Sequence, residues 1–156
     1  MLRFVIRNAK FLIVTVLLMA CGCKSQKTAV VNAAPEFNPE ETWVLVSMRG
    51  KEVFYQEGQS KATLQVNPEA GTFSGVNGCN RYFGTFKDLG NGKMALSEFN
   101  GTKMACPEAF RKLESSFMQL IRKCDGYRLE AYTLELLQED KVVLTFEKLE
   151  GKENNQ

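Results

Sequence analysis

Histidine does not occur anywhere in the 156 residues. Its absence removes the Ser-His-Asp and Cys-His nucleophile arrangements and all metal catalysis built on imidazole ligands. The five cysteines contain no Cys-x-x-Cys pair. That excludes a thioredoxin-like redox motif, and dispersed thiols without histidine make a poor zinc set. A paired-carboxylate hydrolase survives these exclusions. The acids, however, lie scattered over expected turns, a tether and a helix face (Glu57, Glu69, Asp88, Glu98, Glu139, Asp140), and no pair stands out. Charge is nearly balanced, with 20 basic and 18 acidic residues, so the sequence lacks the strong basic excess expected of a nucleic-acid binder. The longest apolar run is short of the about 20 residues that span a bilayer. The sequence offers no catalytic constellation, no cofactor motif and no metal set, which points away from an enzyme.

The first residues address a different question. Arg3, Arg7 and Lys10 give a basic start, Phe11 to Met19 is apolar apart from Thr15, and Leu18-Met19-Ala20 leads into Cys21. Residues 1–20 therefore read as a lipoprotein signal peptide, with Cys21 acylated after cleavage. Cys23 is the alternative acylation site, but Ala20 at its −3 position fits a lipobox less well than Leu18 does for Cys21. An uncleaved anchor or a Cys-x-Cys metal site remains open, yet lipidation accounts for both thiols more simply. Removing Arg3, Arg7 and Lys10 leaves 17 basic against 18 acidic residues, a net −1. Residues 21–41 follow as the lipidated N-terminus and a flexible polar tether, 42–149 as a single domain, and 150–156 as a disordered tail. Gly22 after Cys21 is not an inner-membrane retention signal of the enteric type. The expected location is the cell envelope, lipid-anchored in the outer membrane and facing the periplasm.

Within the domain the hydrophobic period is mostly two. Trp43, Leu45 and Ser47 alternate with Val44, Val46 and Met48; Ala62, Leu64 and Val66 share one face. So do Tyr127, Leu129 and Ala131, and Val142, Leu144 and Phe146. Turn chemistry separates the runs at Asn67-Pro68, Asn77-Gly78, Gly90-Asn91-Gly92 and Glu139-Asp140. About eight short strands result, which suits a sandwich or a meandering barrel. One segment breaks the rhythm. Phe110, Leu113, Phe117, Leu120, Ile121 and Cys124 recur every three or four residues, predicting a helix over about 107–124. Pro107 and Glu108 suit its first turn, and Gly126 its end. In a chain this small the stripe closes the domain's own core.

Two segments carry most of the information: Gly75-Val76-Asn77-Gly78-Cys79-Asn80-Arg81-Tyr82-Phe83-Gly84 and Gly101-Thr102-Lys103-Met104-Ala105-Cys106-Pro107. Together with Trp43 in the first strand, the helix bearing Glu114 and Phe117, and the closing apolar strand, they resemble the META domain of heat-shock-inducible bacterial envelope lipoproteins of the HslJ type. The likeness covers roughly residues 41 to 149. It implies a mainly β (α+β) fold, a small antiparallel, lipocalin-like β-barrel of about eight strands with one packed α-helix. It also implies a role in envelope stress or the handling of toxic compounds, with no settled reaction.

In an oxidising envelope compartment Cys79 and Cys106 are the expected disulfide, with reduced, buried thiols as the alternative. Cys124, on the apolar stripe, reads as a buried free thiol. Gly75, Gly78 and Gly84 read as turn and bulge positions rather than a phosphate loop, since no Lys-Ser/Thr and helix start follow them. Asn80 is expected to tie down loop backbone through its amide. Asn80, Arg81 and Tyr82, with Phe54 and Tyr55 in their polar stretch, form a candidate rim for a ligand or partner. Three modes of action follow: membrane-anchored binding in stress resistance, carriage of a small apolar ligand or lipid in the barrel, or protein interaction, as of a protease inhibitor or envelope-assembly accessory.

Overall fold

The structure, a computed structural model, describes residues 35–150. The signal peptide, Cys21, Cys23, most of the tether and the tail from 151 lie outside the described residues. Nine strands and one helix follow in the order β1 (Trp43–Met48), β2 (Lys51–Glu52), β3 (Thr63–Asn67), β4 (Thr72–Val76), β5 (Arg81–Gly90), β6 (Lys93–Gly101), α1 (Glu108–Ile121), β7 (Gly126–Leu129), β8 (Thr133–Gln138) and β9 (Lys141–Lys148). Each strand from β3 to β9 pairs with the next, antiparallel throughout. β1 pairs with both β3 and β9 and so closes the ring.

Eight strands make this barrel, the number the alternating runs predict. The ninth, β2, only extends the far end of β1, pairing Ser47↔Glu52 and Met48↔Lys51. Arg49-Gly50, Asn91-Gly92 and Glu139-Asp140 are two-residue turns with positive φ at both positions. That geometry matches the right-handed twist of the flanking strands. The latter two stand among the turns read from the sequence. The first does not, because Arg49 is no usual turn residue. Gly84 sits where the β5–β6 register shifts between Phe83 and Thr85. A Cβ there would lie 2.4 Å from the Ser97 carbonyl oxygen and 2.6 Å from the Phe73 ring, so the bulge tolerates no side chain.

Alternation puts Leu64 and Val66, Tyr82 and Phe86, Leu134 and Leu136, and Leu144 and Phe146 inside. An aromatic chain runs through the interior: Phe99 to Phe73 at 4.8 Å, Phe73 to Tyr82 at 6.0 Å, Tyr82 to Phe117 at 5.5 Å and Phe117 to Phe146 at 6.3 Å. Offset and edge-to-face pairs of this kind add to the burial of their area.

The ring has a weak seam. β6 and β7 share a single residue pair, Lys93↔Gly126, and α1 stands beside the unpaired length of β6. There the Arg122 guanidinium lies 4.4 Å over the Phe99 ring, and Phe117, Leu120 and Ile121 are buried. The helix stops at Ile121, three residues before the periodic stripe does. The Lys123 and Cys124 N–H groups donate to the Leu120 and Ile121 carbonyls in a tightened turn, and the Asp125 N–H turns away to Leu137. Sheet pairing overrides the helical period at this point.

Packing also begins before residue 42. Phe37, which the sequence reading leaves in the tether, is only 9% exposed. Its ring sits 5.6 Å from Phe86 and 5.0 Å from Tyr127. A lone aromatic between Pro35 and Pro39 shows no period that would reveal this. Next to it Glu41 pairs with Lys148, and the Leu149 N–H donates to the Thr42 carbonyl at 2.8 Å.

Candidate functional site

The two cysteine segments meet at the N-terminal half of α1. Cys79 and Cys106 form a disulfide with their Cα atoms 6.1 Å apart. The Asn77 side-chain oxygen accepts from the Cys79 and Asn80 N–H groups, at 3.3 and 2.8 Å, and so shapes the turn between β4 and β5. The Asn80 amide oxygen accepts from the Thr102 hydroxyl at 2.9 Å and the Met104 N–H at 2.8 Å. Its amide nitrogen donates to Glu114 Oε1 at 3.0 Å and to Cys106 Sγ at 3.2 Å. Asn77 donates to the same Glu114 oxygen at 3.2 Å. Both asparagines are buried, and buried amides with every group engaged specify one geometry. The most distinctive part of the sequence is thus a clamp joining β5, the segment before α1 and α1 itself. Asn80 ties down backbone, as expected, and has no atom to spare for a ligand.

The remaining rim residues separate. Tyr82 is 2% exposed. Its hydroxyl donates to the Thr63 carbonyl at 2.7 Å, and burial holds its pKa well above the ordinary phenol value. Tyr55 is half-buried, donates to the Leu45 carbonyl at 2.8 Å and accepts from the Ala62 N–H at 3.2 Å. Burial raises its pKa too, partly offset by the Ala62 hydrogen bond. Only Arg81 and Phe54 face solvent, Phe54 at 76% exposure, and they line different grooves. The five residues do not form one rim.

The barrel offers little inside. Leu45, Ala62, Phe117, Ile121, Leu134, Leu136, Leu144 and Phe146 have no accessible surface, so no water-sized space adjoins them. This corrects the expectation of a ligand held in the barrel, because these side chains fill the volume that a lipocalin-type ligand would need. Cys124 is buried, its thiol lying 3.4 Å from the Leu120 carbonyl oxygen. Burial, and secondarily the Asp125 carboxylate, push its pKa up to about 12, the reverse of what a nucleophilic thiol needs. Among the described residues no three Cys, Asp or Glu side chains gather as a metal set, and no helix is long and apolar enough to cross a membrane.

Three hollows flank α1, while another of about 410 Å³ lies away from it, beside Val44, Val46, Lys61, Tyr132 and Lys148. One groove, of about 410 Å³, lies between α1 and the segment 48–59 and includes Met48, Val53, Phe54, Ala109 and Leu113. A second hollow of about 270 Å³ shares Met48, Lys51 and Ser116 with it and adds Arg49, Gln119 and Lys123. On the other flank a cleft of about 370 Å³ is edged by Arg81, Phe99, Lys103, Met118 and Arg122. Sequence reading found Phe54 and Arg81 but missed the grooves. Ala109, Lys112 and Ser116 on the outer helix face, and Lys123 in the turn beyond it, carry no signal of their own.

No curated protein matches the chain. Among solved structures it is similar to the NMR structure of a protein from Burkholderia xenovorans, at 27% identity and a TM-score of 0.54, over 74% of this chain and 92% of that one. A second protein solved by NMR matches at 25% identity and 0.53, over 70% and 89%. A crystal structure of a DUF4847 family protein from Bacteroides vulgatus matches at 17% and 0.48, over 70% and 92%. The META domain matches residues 36–151, which takes in the whole barrel, the clamp and the buried Phe37; the chain belongs to the META domain family.

Proposed function

We propose that this protein is an envelope lipoprotein, anchored through Cys21 with Cys23 as the alternative, whose domain acts by binding rather than catalysis in resistance to envelope stress or toxic compounds. The outer membrane, with the domain facing the periplasm, is the proposed location. The observation that carries the binding reading is a filled barrel, whose free thiol among the described residues, Cys124, is buried with a raised pKa, beside open, partly apolar grooves along α1. The anchor rests on the basic, apolar and lipobox-like order of the first 21 residues. Cells expressing the full chain and fed an alkyne fatty acid test it. Label is expected on the wild-type protein and on Cys23→Ser, and lost on Cys21→Ser. Label surviving in both single variants and in the double variant overturns the anchor. A strain lacking the protein is expected to lose viability under heat or membrane-active compounds, restored by the wild-type chain and not by Cys21→Ser. Equal survival overturns the stress role.

A further inference from the structure

The groove between α1 and residues 48–59 is graded along its length. At one end Val53, Phe54, Ala109 and Leu113 present apolar surface. At the other, Arg49, Lys51 and Lys123 stand with Ser116 and Gln119. Met48, Lys51 and Ser116 belong to both hollows, so the two form one continuous trough. Lys112 adds a further cation beside the apolar end, and among the described residues Glu52 is the only acid lining either part. None of Arg49, Lys51, Lys112 and Lys123 has a salt-bridge partner among the described residues. The contrast with the rest of the molecule matters, because the chain beyond residue 20 carries nearly balanced charge.

From this grading we infer that the trough binds an anionic amphiphile with a single alkyl chain. The chain lies against Val53, Phe54 and Leu113, and the headgroup anion sits among Arg49, Lys51 and Lys123. The chemistry is complementary at both ends. Alkyl burial drives association roughly in proportion to apolar area removed from water, and unpaired cations select the sign of the headgroup and speed encounter. A volume of about 410 Å³ falls in the range of small-molecule sites, roughly 300–1,000 Å³. A purely apolar ligand would leave the cationic end unused. A nucleotide or other fully polar anion would leave Phe54 and Leu113 wet. This inference rests on the binding reading proposed above and names its ligand class.

The unit from residue 33 onward has its own closed sheet and core, and similar chains have been solved at nearly this length. It can therefore be titrated without the leading segment. The probe is dodecanoate below its micelle threshold, followed by calorimetry and native mass spectrometry. One equivalent is expected to bind. Dodecyltrimethylammonium is expected to bind at least about tenfold more weakly, because the headgroup sign is reversed. Lys51→Glu with Lys123→Glu, both exposed positions, is expected to weaken dodecanoate binding by about tenfold or more, and Phe54→Ser by a similar factor through lost apolar contact. Unchanged Trp43 emission and melting temperature show that these variants fold. Equal binding of the cationic amphiphile, unchanged affinity in the double variant, or no saturable binding overturns the inference. Binding only to anionic vesicles overturns it too, and makes the trough a membrane-surface patch. A photocrosslinker at position 54 of the full chain, in the envelope, separates the two levels. Capture of a protein without any dodecanoate binding removes the ligand class and leaves the binding reading standing.

Discussion

Replacing Asn80 tests the clamp most directly. Its side chain makes four hydrogen bonds, to Thr102, Met104, Cys106 and the Glu114 carboxylate. Neutral bonds of this kind contribute about 1 kcal/mol each and those to a charged group about 1.5–3 kcal/mol. Asn80→Ala also leaves Glu114 and the Met104 N–H short of partners, so the expected loss is about 5 kcal/mol. Domains of this size are stable by roughly 5–15 kcal/mol, so the variant should still fold, barely. Urea unfolding under non-reducing conditions measures it, with the only tryptophan, the buried Trp43, as reporter. Asn80→Asp sharpens the test. It places a carboxylate beside Glu114 and loses both donors, so it should be at least as unstable as Asn80→Ala at pH 7. Two adjacent carboxylates raise each other's folded pKa. A raised folded pKa means that stability is greatest below the ordinary carboxylate value of about 4 and falls as pH rises through the folded value. Asn80→Asp should therefore recover on acidification from pH 7. A loss below about 1 kcal/mol for Asn80→Ala, or further loss in acid for Asn80→Asp, would refute the reasoning.

Three other expectations follow from the same structure. Replacing Cys79 and Cys106 by Ser opens a loop with a sequence separation of 27 and should lower stability by about 3–4 kcal/mol on the chain-entropy argument; an unshifted urea midpoint contradicts it. Cys124, with its folded pKa pushed from 9.0 to about 12, should resist iodoacetamide at pH 8 until the domain unfolds. Because the unfolded thiol ionises first, stability should fall from about pH 9 to 12 by about 1.4 kcal/mol per pH unit, more steeply once unfolded Tyr82 ionises above its ordinary 10.0; a flat alkaline profile counts against a buried thiol. Phe37→Ala, or a chain begun at Thr42, should lose about 3 kcal/mol of packing, read from the thermal midpoint; an unchanged midpoint shows that Phe37 does not dock.

Period and turn chemistry made much of this fold legible. The stripe Phe110, Leu113, Phe117, Leu120, Ile121 located α1 because apolar spacing and Pro107 agreed. Leu64 and Val66, or Leu144 and Phe146, announced inward faces by alternation alone. Failures occurred where a residue's role depends on distant chain. Glu114 was marked only by its place in the family pattern, and its role became visible when Asn77 and Asn80, 37 and 34 residues away, arrived beside it. Tyr82 and Phe83 are neighbours of similar chemistry. Only the register of β5 decides that the first is core and the second is outside. The grooves were the least legible, since they are shapes between elements rather than properties of any run of residues.

Closure by β1 and β9 has a consequence for how such a chain comes into being. Trp43 meets Lys148 and Met48 meets Leu144, so strands near opposite ends of the domain sequence must find one another. While the polypeptide is being made, the first strand waits with its outer hydrogen-bonding edge bare until the final one emerges, about a hundred residues later. Long-range pairing of this kind slows folding and leaves a strand edge open to wrong partners. The protein is therefore most vulnerable to aggregation as a nearly complete chain, and truncation within Lys141–Lys148 should do more harm than its length suggests. The arrangement also leaves the two ends of the barrel sequence side by side, at Thr42 and Leu149, so a short linker there should allow the chain to be recut at an outer turn and still close.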